Sequence, residues 1–191
     1  MSDTKGFSLL EVLVATVILL TVSIGLAGLL IQNSRINKTQ QMTARAQADA
    51  RNCLMLVVQK LRSAGWDPLG IGFVAVTPDP DLGDAISQIE VRADLNDDGD
   101  IDDDFEQLLI RHRDNVVEWR KTTTANFETL MTNITNDADG NGTPEPMFVL
   151  DGVPPTRITV SITAQSSVPE LLTQQHILVS LSSDIVLREA L

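Results

Sequence analysis

Apolar positions crowd the start of the chain. From Phe7 the sequence runs FSLLEVLVATVILLTVSIGLAGLLIQ, about 26 residues without a proline and with one charge, Glu11. As a helix rising 1.5 Å per residue this block extends roughly 39 Å, enough to cross a bilayer core of about 30 Å. In lipid a lone segment satisfies its backbone only as a helix. A secretory signal peptide, with an apolar stretch of about 7 to 15 residues, is shorter than this block.

From Asn33 to about Ser63 the chain turns polar but stays free of Pro and Gly, and Ala44, Ala46, Ala48 and Ala50 favour continued helix. Met42, Cys53, Leu54, Leu56, Val57 and Leu61 gather toward its end at spacings of three and four, which predicts a helix face packed on a globular head. This repeat covers too few heptads for a coiled coil. Gly65 and Pro68 supply a stop. One helix over residues 7–63 would be roughly 85 Å long. Gly25 and Gly28 fit close packing, a local loosening of the helix, or no special role.

Beyond a Pro- and Gly-rich stretch, residues 86–93, 107–113, 116–121, 157–164 and 177–187 read as strands. In the fourth, Ile158, Val160, Ile162 and Ala164 alternate with polar residues, the mark of a sheet with one covered face. Asp114 and Asn115 stand at hairpin spacing between the second and third strands. The expected fold is α+β, a long N-terminal helix packed on an antiparallel β-sheet head. Its divisions are residues 1–6 as a leader, 7–32 as an apolar helix, 33–65 as an amphipathic helix and 66–191 as the head.

The chain has 191 residues and a net charge of -12, a balance that repels phosphates and argues against nucleic acid as a partner. Much of the acid sits in two loops. In the first, Asp94, Asn96 and Asp98 alternate before a turn at Gly99. Asp100 can add a carbonyl and Asp102 a carboxylate, with Asp104 or Glu106 completing a shell. Its start resembles an EF-hand loop, but Phe105 replaces the twelfth-position Glu. Ligands at relative positions 1, 3, 5 and 9 are closer to the nine-residue calcium loops of surface and pilus proteins. Asp137, Asp139, Asn141 and Glu145 repeat that spacing. The competing reading of both loops is plain polar turns. Oxygen donors without nearby Cys or His favour one or two structural calcium ions over zinc.

Catalytic constellations are missing from the sequence, and a non-enzymatic role is expected. His112, between Arg111 and Arg113, reads as a solvated strand residue. Cys53 reads as a small buried hydrophobe. Trp66 and Trp119 read as core or rim residues, with a contact surface as the alternative.

An acid five residues into an apolar run is costly in a membrane and calls for a partner. The stretch Lys5-Gly6-Phe7-Ser8-Leu9-Leu10-Glu11-Val12-Leu13 resembles the processing motif of type IV prepilins and pseudopilins. The resemblance implies cleavage between Gly6 and Phe7 by a prepilin peptidase, N-methylation of Phe7, and an assembly role for Glu11. The ammonium created at Phe7 would pair with Glu11 of an adjacent subunit, compensating the buried charge when subunits stack in register. Leu56 to Pro68, LVVQKLRSAGWDP, resembles the end of this helix in PilW-like minor pilins. The implied role is a minor pilin in type IV pilus assembly or priming, anchored in a bacterial inner membrane with its head outside the cytoplasm, then carried into a filament. Its partners would be other minor pilins or pseudopilins, the major pilin and the inner-membrane assembly platform. A J-type pseudopilin of a type II secretion system and a calcium-dependent adhesive or ligand-binding module are the alternatives.

Overall fold

The computed structural model describes residues 8–78, 87–122, 124–152, 155–170 and 173–187. The chain divides into two compact units, Met1–Gln41 and Met42–Leu191. Helix α1 (Leu9–Leu61) runs unbroken for 53 residues, as the absence of proline allows.

In the first unit the apolar side chains of α1 are exposed, Leu9 at 86% and Ile24 at 72% among them. A Cβ built on Gly25 or Gly28 meets nothing within 4 Å.

In the second unit α1 buries Ala46, Ala50, Cys53, Val57 and Leu61, whose spacings of four, three, four and four keep them on one face. Of the expected stripe, Cys53, Val57 and Leu61 are buried and Met42, Leu54 and Leu56 half-buried, with Ala46 and Ala50 completing the face; Cys53 is its small buried member. Burial pushes its thiol up to about 12. The helix ends as its residues dictate. Ser63 Oγ donates to the Lys60 carbonyl at 2.7 Å. Gly65 then takes a φ of 75°, and its N–H donates to the Arg92 carbonyl at 2.9 Å.

Among the described residues, eight strands form two antiparallel sheets. The first, in the order β1 to β5, contains β1 (Val76–Pro78), β2 (Ser87–Arg92), β3 (Gln107–Arg113), β4 (Val116–Arg120) and β5 (Glu128–Thr132). The second, ordered β6-β7-β8, contains β6 (Phe148–Leu150), β7 (Arg157–Gln165) and β8 (Leu178–Val186). The expected antiparallel head is thus built, among the described residues, from two sheets. Asn133 and Asn136 adopt positive φ after β5, and the segment they frame crosses onto β7 through the bridge Ile134↔Ala164. The Phe148 N–H donates to Ser87 Oγ at 3.2 Å, tying β6 to the start of β2.

The core draws on all these elements, with Ile89, Leu108, Ile110, Val117, Ile158 and Ile162 among the residues packed with the helix stripe. Each fully buried aliphatic side chain contributes about 1.5 to 3 kcal/mol relative to exposure. The β3–β4 hairpin turns at Asp114 (φ 48°) and Asn115 (φ 62°), where short polar side chains tolerate the left-handed region.

His112 corrects the sequence reading. It is completely buried, because alternation along β3 puts Leu108, Ile110 and His112 toward the core while Arg111 and Arg113 face Glu118 on the other side. Its Nε2 donates to the Ile134 carbonyl at 2.8 Å, and among the described residues its Nδ1 has no partner. Burial pulls its pKa down from the usual histidine value, against smaller opposing effects of the Ile134 carbonyl and Asp114.

Candidate functional site

Of the expected processing residues, Gly6 and Phe7 lie outside the described residues; Glu11 lies inside them. The chain enters α1 through Ser8. Its Oγ accepts from the Leu10 N–H at 3.2 Å, and its own N–H donates to Glu11 Oε2 at 2.9 Å. This reciprocal pair is a capping box, in which serine and glutamate three residues on satisfy the donors that every helix start leaves unpaired. The carboxylate also sits at the positive end of the helix dipole. Glu11 therefore has a partner within its own chain. Leu10, Val14, Ala15 and Ile18 form a concave apolar strip beside it, with the small Ala15 at the dent.

Residues 1–27 match the family model of the prokaryotic N-terminal methylation motif. No curated protein and no solved structure matches the chain. The methylation motif spans the expected processing positions, the capping box and much of the exposed apolar part of α1. That helix is long and apolar enough to cross a membrane by length and composition.

The first acidic loop organises itself around two buried carboxylates. Asp94 accepts the N–H groups of Asp97 at 2.8 Å and Gly99 at 3.2 Å. Glu106 accepts those of Leu95 at 2.9 Å and Asp103 at 3.2 Å. Between them runs a ladder in which Asn96, Asp98 and Asp100 each accept an N–H two residues on, from Asp98, Asp100 and Asp102. That alternation is the period the sequence showed, since Asx turns repeat every two residues. Asn96 Nδ2 bridges Asp98 at 2.8 Å and Asp103 at 2.7 Å, and Asp103 is a member that the spacing did not single out. Asp104 is exposed. Phe105, where an EF-hand has glutamate, instead packs edge-on against Trp119 with ring centroids 5.7 Å apart. The Lys60 ammonium lies 4.2 Å from the Phe105 ring centroid.

The second loop follows the same logic. Asp137 accepts from Asn141 at 3.0 Å and Gly142 at 2.7 Å. Burial pushes its carboxyl upward, but hydrogen bonds with the Gly142 N–H, the Asp139 side chain and the Asn141 and Gly140 N–H groups together outweigh this and hold it below the usual range. Asp139 accepts from the Asn141 side chain, and Asn141 Oδ1 from Thr143. Glu145 enters through its backbone. Asn136 closes the loop by donating from Nδ2 to the Glu145 carbonyl at 2.8 Å and accepting the Thr163 N–H at 3.0 Å. Asparagine just before the acidic run was the available signal, and the sequence reading passed over it.

Among the described residues, no three His, Cys, Asp or Glu side chains are grouped as a metal would need. The loop carboxylates bind their own backbone. Beside the second loop, Thr135, Asp139, Gln165, Gln175 and His176 line an open polar cleft of about 410 Å³.

Proposed function

We propose that the chain is the precursor of a filament subunit of the type IV pilin class, cut between Gly6 and Phe7 by a prepilin peptidase and methylated at Phe7. The observation that carries this reading is the methylation-motif match over residues 1–27, followed by a helix whose apolar side chains are exposed through the first unit. Such a surface requires lipid or neighbouring helices. Capping engages Glu11 Oε2. Among the described residues Oε1 accepts no hydrogen bond, so an ammonium at Phe7 of an adjacent subunit has an oxygen to meet.

Within that class the reading is a PilW-like minor pilin acting in pilus assembly or priming with other minor pilins, the major pilin and the inner-membrane platform. The second resemblance, in Leu56–Pro68, supports it. A J-type pseudopilin shares these features and is the nearest alternative. Intact mass and N-terminal sequencing of native material test the class: N-methyl-Phe7 as first residue is expected, and a start at Met1 or elsewhere overturns it.

The acidic loops are part of the proposal as calcium sites that stabilise the head. Supporting this is their all-oxygen donor set at alternate positions, which suits a hard cation. Binding would require the carboxylates to exchange backbone N–H groups for the ion. Titration calorimetry of the full chain in detergent is expected to show calcium heat that disappears in Asp98→Ala for the first loop and Asp139→Ala for the second. Heat unchanged by either substitution removes that loop from the proposal.

A further inference from the structure

Charge is segregated along this chain. Residues 33–62 carry Arg35, Lys38, Arg45, Arg51, Lys60 and Arg62 against the single acid Asp49, a balance of +5. Residues 63–191 carry 23 acids and 7 bases, a balance of -16. The densest acid, the first loop, borders an exposed apolar patch. Trp66 is 41% exposed, Leu69 60%, Ile71 42% and Leu95 44%. The loop's own geometry assembles this patch. Trp66 Nε1 donates to Asp97 at 3.1 Å, the Asp94 N–H donates to the Trp66 carbonyl at 2.8 Å, and Leu69 and Ile71 lie against Gly99. Asp67 fixes the intervening turn by accepting the N–H groups of Ile71 and Gly72, each at 2.9 Å.

Four large apolar side chains held in solvent and rimmed by carboxylates match a partner that offers apolar contact among cations. The chain supplies such a segment itself. On α1, Ile36 is 45% exposed and lies between exposed Arg35 and Lys38. We propose that the Trp66–Leu69–Ile71–Leu95 patch and its acidic rim dock the Arg35–Ile36–Lys38 segment of a second copy of this chain. The contact is heterologous, one surface meeting a different one, so it propagates from copy to copy instead of closing a pair. It rests on the filament reading, because stacking is what brings one copy's helix to another copy's head.

The test uses full-length chains in membranes. Two tagged forms are co-expressed, one carrying Ile36→Cys and the other Leu69→Cys, and oxidised; each is also paired with wild type, whose buried Cys53 provides the background. A mixed disulfide dimer specific to the pair is expected. Adding Arg35→Glu and Lys38→Glu to the first form is expected to lower its yield about tenfold, and Asp102→Lys with Asp104→Lys in the second, both exposed and outside the contacts that assemble the patch, to restore it. The wild-type contact should also weaken at about 1 M salt, where screening acts over about 3 Å. Lack of the specific dimer, indifference to charge reversal, or failure of the rescue overturns the proposal. So does loss of anionic-vesicle binding by the reversed form with cross-linking unchanged, which would assign the cations to lipid. Cysteines at Leu13 and Leu20 report packing of the apolar helix separately. If they cross-link while the 36–69 pair does not, docking fails alone; if neither does, copies of this chain do not stack on one another and docking fails, while a native N-terminus other than N-methyl-Phe7 is what overturns the filament reading.

Discussion

Ser8 and Glu11 hold each other across the first turn of α1, the serine N–H donating to the glutamate carboxylate at 2.9 Å while the serine hydroxyl caps Leu10. The acid thus has two separable duties, closing its own helix and, in the proposed filament, meeting an ammonium. The proposed cut between Gly6 and Phe7 leaves the Ser8 amide untouched, so the cap persists in the mature chain.

Glu11→Gln keeps an acceptor for the Ser8 N–H but removes the charge, whereas Glu11→Ala removes both. Both variants are expected to be cleaved normally, with Gly6→Ala blocking cleavage. Incorporation into filaments, read by quantifying sheared material, should fall for Glu11→Gln as far as for Glu11→Ala. Rescue by glutamine would show that capping is the whole role.

Burial holds His112 neutral, so its folded pKa lies below the unfolded value near 6.5. The unfolded chain then binds the extra proton, and stability from this group is present above about pH 6.5 and declines as pH falls below it. The urea midpoint of the full chain in detergent should drop between pH 7 and pH 5. His112→Gln, which retains a donor for Ile134, should flatten that slope; an unchanged slope would place the titration elsewhere.

Gly99 adopts a φ of 86°, and a Cβ there would stand 3.3 Å from Leu69 Cδ1. The leucine tip can give way, but the left-handed backbone cannot, so Gly99→Ala should cost about 1 to 2 kcal/mol. Denaturant unfolding measures this, and the neighbouring Leu69→Ala, at an exposed position, should cost far less.

Leu61 is wholly buried where the helix stripe ends. Leu61→Ala is expected to destabilise the head by about 2 to 5 kcal/mol, the usual range for an aliphatic truncated in a core. A loss under 1 kcal/mol in a chemical melt would mean that the helix end is not packed as described.

The sequence made five of the eight strands among the described residues legible, because residues such as Ile158, Val160 and Ile162 alternate over enough positions to show a period of two. β1 and β6, three residues each, are too short to show one, and β5 exposes Glu128 and Thr129. The division into two sheets depends on the crossing near Asn133 and Asn136, a backbone event with little hydrophobic signature. His112 was misread because its charged neighbours were counted and its place in the alternation was not. The alternate-residue pattern of the acidic loops was visible, but it did not reveal that the oxygens serve local N–H groups. Asp103 and Asn136 take part through side-chain amide contacts that only the folded loop creates.

Cys53, shut inside the helix stripe with its thiol pushed up to about 12, stays protonated under physiological conditions and offers oxidants almost no thiolate. Its one native thiol is therefore protected from being trapped in a mixed disulfide, whether the surroundings are reducing or oxidising.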